Sequence, residues 1–290
     1  DEDLQLPLVS VYIPTKNRKA LLSFAIDSVL QQSYSNIEIL VVDDGSTDNT
    51  FLLLTQLANK YQNIRIFKND VSIGACASRN IAINNAKGKF ITGLDDDDIF
   101  LPNRVESLLS AYDDRYAFVC SSMYWDYGNK KRLIDSSECE LNLSQQLSYN
   151  EATSQVLVKR TRVLSVGGFD EEFVSCQDYD LWTRLLIQYG TAYRIALPSY
   201  IINDTGSSKR MINHKSSEKG YLQYLEKHKH LMNDTNIKNQ KFMRIRRRRE
   251  TLSICELFKQ IGTGYFYSKF RYFLSSNFKL IGRLHEKYYK

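Results

Sequence analysis

Lys89-Phe-Ile-Thr-Gly-Leu-Asp-Asp-Asp-Asp-Ile-Phe-Leu-Pro102 is the stretch whose reading decides the fold. Phe90 to Leu94 is a short apolar run of the kind that forms a buried strand. It stops at four successive carboxylates, Asp95 to Asp98. Like charges side by side repel and stay desolvated only against a counter-charge. A solvated acidic loop is the bland alternative. At the carboxyl end of a central strand, where open α/β sheets hold their ligands, a divalent cation is the better counter-charge, because carboxylate oxygens suit Mg²⁺ or Mn²⁺.

The pattern repeats outward from this stretch. Leu8 to Ile13 reads as a strand stopped by Pro14, and the loop Pro14–Arg18 opens a helix with Leu22, Ile26, Val29 and Leu30 at helical spacing. Ile37 to Val42 is a second buried strand, turned by Asp43-Asp-Gly-Ser-Thr47 into another helix. Asn63 to Lys68 gives a third strand, and Gly74 to Ala86 a helix that leads into the opening stretch. Beyond Pro102 the chain reads as an amphipathic helix, a strand over Tyr116 to Met123, and an unassigned segment over 124–154. A strand over Gln155 to Lys159, a turn at Gly167-Gly-Phe-Asp170, a helix from Gln177 to Gln188 and a strand over Tyr193 to Leu197 complete the body. Strands alternating with helices predict an α/β fold with a doubly wound, mostly parallel, Rossmann-like sheet. The Ser/Asn/Gly/Lys-rich segment 203–216 reads as a mobile loop. After it come a helix around Ser217–Met232, a basic helix around Lys238–Lys259 and a Tyr/Phe-dense end.

With 43% hydrophobic and 25% charged residues, the 290-residue chain is globular rather than disordered. Its five cysteines, Cys76, Cys120, Cys139, Cys176 and Cys255, are odd in number and form no Cys-x-x-Cys pair. That spacing argues against a zinc site or a disulfide framework and fits a reducing compartment. No basic-then-apolar leader and no long apolar run occurs, so neither secretion nor membrane spanning is expected. The net charge of +6 hides a division: Lys209 to Lys290 carries 20 Lys/Arg against 6 Asp/Glu, while the preceding body is acidic. Such a tail wants an anionic partner.

The loops Pro14–Arg18, Asp43–Ser46 and Asp95–Asp98 leave consecutive strands and converge on one crevice. There Asp44 can accept hydrogen bonds from a ribose or base edge, Arg79 can meet a diphosphate, and a metal would bridge that diphosphate to Asp97. Taken alone, Asp43-Asp-Gly-Ser is a capped turn with Ser46 or Thr47 as N-cap; beside the acidic run it reads as part of a nucleotide site. Neither G-x-G-x-x-G nor G-x-x-x-x-G-K-[ST] is present, which disfavours dehydrogenase and P-loop chemistry. In Ser175-Cys-Gln-Asp-Tyr-Asp-Leu-Trp182, helical spacing puts Asp178 on the buried face with Leu181, Trp182 and Leu185. Asp178 is therefore the candidate general base, with a dipole-favoured carboxylate at a helix start as the alternative. Asp180 is expected to make an ordinary surface ion pair with Arg184.

These motifs resemble family 2 glycosyltransferases of the GT-A fold. The residues that carry the resemblance are Val9-Ser-Val-Tyr-Ile-Pro-Thr-Lys-Asn17, Val41-Val-Asp-Asp-Gly-Ser46, Gly74-Ala-Cys-Ala-Ser-Arg-Asn80, Ala86-Lys-Gly-Lys-Phe-Ile91 and Leu94-Asp-Asp-Asp-Asp98. Gly167-Gly-Phe-Asp170 and Gln177-Asp-Tyr-Asp-Leu-Trp182 complete a set in family order over residues 8–200. The resemblance implies a catalytic domain over 1–205, with a nucleotide-sugar half about 1–100 and an acceptor half about 101–205. Residues 206–290 would form a basic, aromatic-rich helical extension.

It further implies that Pro14, Thr15, Lys16, Asn17, Arg18, Asp43 and Asp44 line the nucleotide-sugar site, together with Gly74, Arg79, Asp95 and Asp96. Asp97 would be the direct ligand of Mn²⁺ or Mg²⁺, with Asp95 and His214 as further ligand candidates and Asp98 as second shell or helix cap. Lys209 and Arg210 are comparable candidates for covering the diphosphate. Asp178 would deprotonate the acceptor, and Gln177, Trp182 and Gly168 would lie on the acceptor side. The chain departs from the family at Lys16, where an aromatic is common, and at Gln177, where Glu is usual. Losing that like charge should raise the Asp178 pKa less.

The implied activity is inverting, metal-dependent and non-processive. A hexose would pass from a nucleotide-diphosphate sugar, a UDP-sugar above all, to a hydroxyl of a lipid-diphosphate-linked glycan, giving a β linkage in O-antigen or capsule synthesis. Arg244-Ile-Arg-Arg-Arg-Arg249 beside Tyr265, Phe266, Tyr267, Phe270, Tyr272, Phe273 and Phe278 suits an anionic membrane surface, contacted through 238–290. The expected location is thus cytoplasmic, peripheral on the inner face of the plasma membrane. No nucleic-acid module accompanies this composition; a packed subdomain or a homodimer contact is the alternative. The rival functions are a nucleotidyltransferase acting on sugar phosphates and a non-catalytic glycan- or nucleic-acid-binding protein.

Overall fold

The structure, a computed structural model, describes residues 6–153, 155–205 and 214–278. β1 (Val9–Thr15) leads into α1 (Lys19–Leu30), β2 (Ile37–Asp44) into α2 (Thr50–Lys60), and β3 (Ile64–Asn69) into α3 (Ala75–Asn85), after which β4 (Phe90–Gly93) follows. These strands lie parallel in the order β3-β2-β1-β4. Every residue of β2 is buried, as expected for a strand covered on both faces. Pro14 does not stop β1 but sits inside it opposite Val42. Pairing with β4 has already ended at Tyr12, so no ladder bond to that neighbour is lost at the proline.

The second half begins with β5 (Ile99–Phe100), α4 (Arg104–Ser110) and β6 (Val119–Asp126). The unassigned stretch folds as the end of β6, then β7 (Lys131–Ile134), β8 (Cys139–Leu141) and α5 (Leu143–Ser148), which opens on a reciprocal capping box between Asn142 and Gln145. Then come β9 (Leu157–Lys159), α6 (Arg160–Ser165), α7 (Gln177–Tyr189) and β10 (Ala192–Asn203). β9 runs antiparallel between β4 and β6, and β10 lies parallel to β6 but antiparallel to β5 and β8. The sheet is therefore mixed, wholly parallel in its first half and largely antiparallel in its second. β9 starts at the ligand edge, where Gln155 just before it meets Asp95, and so must run backward. Leu22, Ile26, Leu54 and Leu108 fill the core on one face of the sheet, and Ile83, Val163, Trp182 and Leu185 that on the other.

The C-terminal part comprises α8 (His214–His228), α9 (Asp234–Arg247), α10 (Ile254–Lys259) and α11 (Phe266–Asn277). The single basic helix expected over Lys238–Lys259 is two, broken where Arg249 takes a left-handed φ of 55°. Phe242, Leu252 and Leu257 form a small core of their own. α9 is pinned to α5, with Asn236 Nδ2 donating to the Ser144 carbonyl at 2.8 Å and Gln240 Nε2 to that of Leu147 at 2.6 Å. Most of the segment read as a mobile loop, including Lys209 and Arg210, lies outside the described residues, as does the side chain of His214. Among the described residues no helix is long and apolar enough to cross a membrane.

Lys269 of α11 is fully buried against Asn239 and Thr263, with no carboxylate partner among the described residues, and burial lowers its pKa to about 8. The fold thus disfavours the charged amine, a penalty complete below about pH 8 and relieved as pH rises toward the ordinary lysine range. Thermal stability should therefore gain a component between about pH 8 and pH 10 that Lys269→Met removes, read as the difference in Tm slope between the two proteins.

Candidate active site

Strand order reverses between β1 and β4, and the crevice at their carboxyl ends is where such sheets bind ligands. Two loops are laced together on its floor. Asn17, in a left-handed conformation, accepts on Oδ1 from the amides of Thr47 at 2.8 Å and Asp48 at 3.3 Å, while its own amide donates to Ser46 Oγ at 2.9 Å. Ser46 and Thr47 are used here, so neither caps α2, whose N-cap is Asn49. Pro14 and Lys16 lie half-buried beside this lacing.

The neighbouring acids differ in a way their spacing did not reveal. Asp44 was expected to read a ribose or base edge, yet it already accepts from Ser72 Oγ at 2.6 Å, the amides of Ile73 and Gly74 at 2.8 and 3.0 Å, and Asn69 Nδ2 at 3.0 Å. With both oxygens doubly engaged, Asp44 holds the loop into α3. Among the described residues Asp43 takes only the Ser46 amide at 3.1 Å on Oδ1, and its buried Oδ2 has no partner. An orphaned buried carboxylate oxygen is where a donor from a ligand fits.

In the acidic turn each carboxylate has its own task. Asp95 Oδ1 pairs with Arg79 Nη2 at 2.8 Å, and Arg79 Nε is buried without a partner. Asp96 accepts from Thr15 Oγ1 at 2.7 Å; burial pushes its pKa up to about 7, against the pull of Thr15 and Arg18. Asp97 is paired with Arg18. Asp98 is no helix cap: it accepts from Tyr200 Oη at 2.8 Å and the Asn203 amide at 2.9 Å, which ties β10 to the turn. Gly93 allows the close approach behind the turn, since a Cβ there would sit 2.1 Å from Gln155 Oε1.

Among the described residues no three His, Cys, Asp or Glu side chains form a metal cage. Mg²⁺ and its like need none, because they take one or two carboxylates, keep several waters and complete their shell with substrate phosphate. Asp95 and Asp97, hard oxygen donors on one turn, fit that requirement, and the Arg18 guanidinium marks a place for positive charge beside Asp97.

Asp178 enters the same crevice from the first turn of α7, after Cys176 with φ 61°. Asn150 Nδ2 donates to its Oδ2 at 3.2 Å. Burial raises its pKa to about 6, against the pull of the Tyr179 amide and Arg79 and helped by Asp95. Burial thus supplies a lift of its own, although Gln177 stands where an acidic neighbour would add to it. Gln177 stands half-buried beside it at the start of α7.

The remaining acceptor-side expectations change. Trp182 is 1% exposed, packed between Phe118 and Phe169 with Nε1 on the Thr153 carbonyl at 3.2 Å, so it is a core residue. Gly168 makes the turn at φ 70°, where a Cβ would meet Asn80 Oδ1 at 2.7 Å; it docks the turn on α3. Asp180 is not a surface partner but fully buried, gripped by Arg184 Nε at 2.8 Å, Lys227 Nζ at 3.0 Å and His228 Nε2 at 2.8 Å. The helical count placed its i+4 arginine and could not foresee that α8 packs over it.

Asp178, with Ser175, Cys176 and Tyr179 around it, also lines a pocket of about 250 Å³ whose other walls are Ser148, Tyr149 and Asn150 beside α5, and Ser217, Tyr221, Gln240, Met243 and Arg247 from α8 and α9. None of these was singled out from the sequence as a site residue. The capping box before α5 and the i, i+3, i+7 spacing of Gln240, Met243 and Arg247 are the local signals that were available.

The family model described as glycosyl transferase family 2 matches residues 10–166. The chain is 34% identical over 257 residues, 84% of its length and 90% of the relative's, to the putative colanic acid biosynthesis glycosyl transferase WcaA of Escherichia coli (strain K12). It is 34% identical over 187 residues, 62% of its length and 71% of the relative's, to the UDP-Glc:alpha-D-GlcNAc-diphosphoundecaprenol beta-1,3-glucosyltransferase WfaP of Escherichia coli. S. aureus TarS 1-349, solved in complex with UDP-GlcNAc, superposes with a TM-score of 0.65 at 18% identity, over 96% of this chain and 83% of that one, and shares the GT-A fold.

Proposed function

The chain belongs to glycosyl transferase family 2, and from that premise we propose an inverting, non-processive transfer of a hexose from a UDP-sugar to a hydroxyl of a lipid-diphosphate-linked glycan, in polysaccharide biosynthesis. The carrying observation is Asp178, a half-buried carboxylate whose pKa is raised to about 6, set between the Arg79–Asp95 pair and an open pocket. The UDP donor and lipid-linked acceptor follow the printed activity of the WfaP relative.

Pro14, Lys16 and the free oxygen of Asp43 border the nucleoside slot, with Asp44, Asn17 and Thr15 holding its walls. Arg79 offers its unpartnered Nε–H and its charge to the leaving diphosphate. Asp97 and Asp95 would hold Mn²⁺ or Mg²⁺, which when bound neutralises charge on that diphosphate. Asp178 takes the hydroxyl proton as the acceptor oxygen bonds to the anomeric carbon. The bond from that carbon to the diphosphate breaks on the opposite face, and its electron pair leaves with the nucleoside diphosphate. An α-linked donor therefore gives a β-linked product.

Residues 1–205 form the catalytic domain in this reading, and the C-terminal helices serve the membrane side. Ile254, Phe258, Ile261, Phe266, Tyr267 and Phe270 are exposed, and this apolar surface begins beside the pocket, where Tyr265 packs edge-on to Tyr149 at 4.5 Å. Basic side chains next to such a surface favour anionic lipid and a position on the inner leaflet. In a panel of UDP-, GDP- and TDP-sugars with Mn²⁺ and a GlcNAc-diphosphate lipid, a UDP-hexose should be used, EDTA should abolish transfer, and NMR should show a β linkage. Retention of the anomeric configuration, or full activity in EDTA, would sink the reading.

A further inference from the structure

Five of the twelve residues that line the pocket beside Asp178 belong to C-terminal helices. Gln240, Met243 and Arg247 share one face of α9, and Ser217 and Tyr221 of α8 also line it. Arg244 and Arg248 are neutralised by Glu218, at 3.4 and 2.7 Å. Arg247 instead touches uncharged groups: Ser217 Oγ at 2.6 Å, the Ser217 carbonyl at 3.2 Å, and the Tyr221 ring at 4.9 Å. No carboxylate of the described residues lies within ion-pair distance of it. A half-buried guanidinium without a counter-anion is suited to phosphate, which it can grip with two parallel N–H bonds.

A second observation is independent of that charge. Gln240 is 4% exposed and donates from Nε2 to the Leu147 carbonyl at 2.6 Å and Tyr179 Oη at 2.9 Å, yet its buried Oε1 has no donor among the described residues. Such an acceptor is completed by a ligand O–H or N–H. Cys176, Asp178 and Arg247 all line this pocket, so the base and the cation border one space. Tyr149 and Tyr221 line it with aromatic surface, against which a sugar ring packs.

We propose that this pocket is the acceptor subsite and takes a saccharide diphosphate. One sugar hydroxyl faces Asp178, another hydroxyl or an amide N–H of the same sugar donates to Gln240 Oε1, and Arg247 holds the phosphate. The assignment rests on Asp178 being the base of the transfer. It makes the C-terminal helices part of the substrate site and Arg247 a specificity-determining residue.

The test uses the full chain saturated with UDP to fill the donor slot, titrated with decyl diphosphate in a calorimeter. Wild type should bind, and Arg247→Ala and Arg247→Gln should each weaken binding about tenfold or more. Arg244→Ala should bind as wild type does, and an unchanged UDP affinity certifies the fold of each variant. Inorganic pyrophosphate separates the sources: weaker binding than decyl diphosphate supports a lipid-linked group, and equal binding a free diphosphate. In transfer to a GlcNAc-diphosphate lipid, Arg247→Gln should raise the acceptor KM while kcat holds, and should leave transfer to decyl N-acetylglucosaminide unchanged. No binding by wild type, or an equal loss in Arg244→Ala, overturns the inference. Transfer that survives Asp178→Asn would instead overturn the function, and the diphosphate titration would still stand or fall by itself.

Discussion

Asp178→Asn should lower kcat by roughly 10²- to 10⁴-fold, the span a positioned general base contributes, with donor KM little changed. The amide keeps the shape and the contact with Asn150 but cannot take the acceptor proton. The same group sets a pH limb. Burial raises its pKa to about 6, so the active carboxylate form is lost as pH falls through about 6. Wild-type kcat should therefore drop with a one-proton slope on the acid side of that value, and the residual activity of the Asn variant should lack this limb. Steady-state kinetics from pH 5 to pH 8 read both. An acid limb that persists unchanged in Asp178→Asn would place the base elsewhere.

The second large effect is on stability. Asp180→Ala should cost roughly 3–5 kcal/mol, because it strips the shared anion from a buried cluster and leaves Arg184 without a counter-charge, while Lys227 keeps Asp170. Arg184, Lys227 and His228 would all lose that partner. Burial favours the neutral acid, but the His228 hydrogen bond and the charges of Arg184 and Lys227 outweigh it and hold the pKa at about 2. A carboxyl depressed in the fold stabilises fully above its unfolded value and loses that contribution as pH falls to about 2. Wild type should accordingly lose stability between about pH 4 and pH 2 through this group, and Asp180→Ala should show that part of the loss already at pH 7. Denaturant unfolding at both pH values measures it. Since Lys227 and His228 belong to α8, the variant should also loosen the wall that carries Tyr221.

The parallel half of the sheet and its ligand edge were legible because their signals are local. Buried runs of strand length ending in Asp43-Asp-Gly-Ser and in Asp95 to Asp98 announce both strands and loops without reference to distant residues. The reversed course of β9 was not legible. Its three residues carry no mark of direction, and the route into them passes through α5, a helix of six residues. Trp182 was placed on the acceptor side by resemblance, although its helical spacing already put it on the buried face, and its packing between Phe118 and Phe169 makes it a core residue.

The sequence by itself determined the family, the α/β alternation and the acidic turn, and it singled out Asp178 as the candidate base, since each depends on short-range pattern and chemical type. The tertiary structure alone decided which carboxylates remain open. Asp44, Asp96 and Asp98 are occupied by Ser72, Thr15 and Tyr200, whereas Asp43 keeps a free oxygen. It also decided that the basic tail is not one patch. Glu218 absorbs Arg244 and Arg248, while the turn of α9 delivers Arg247 to the pocket of Asp178. Charge can be counted along a chain, but whether a given charge meets a partner is settled by which surfaces pack together.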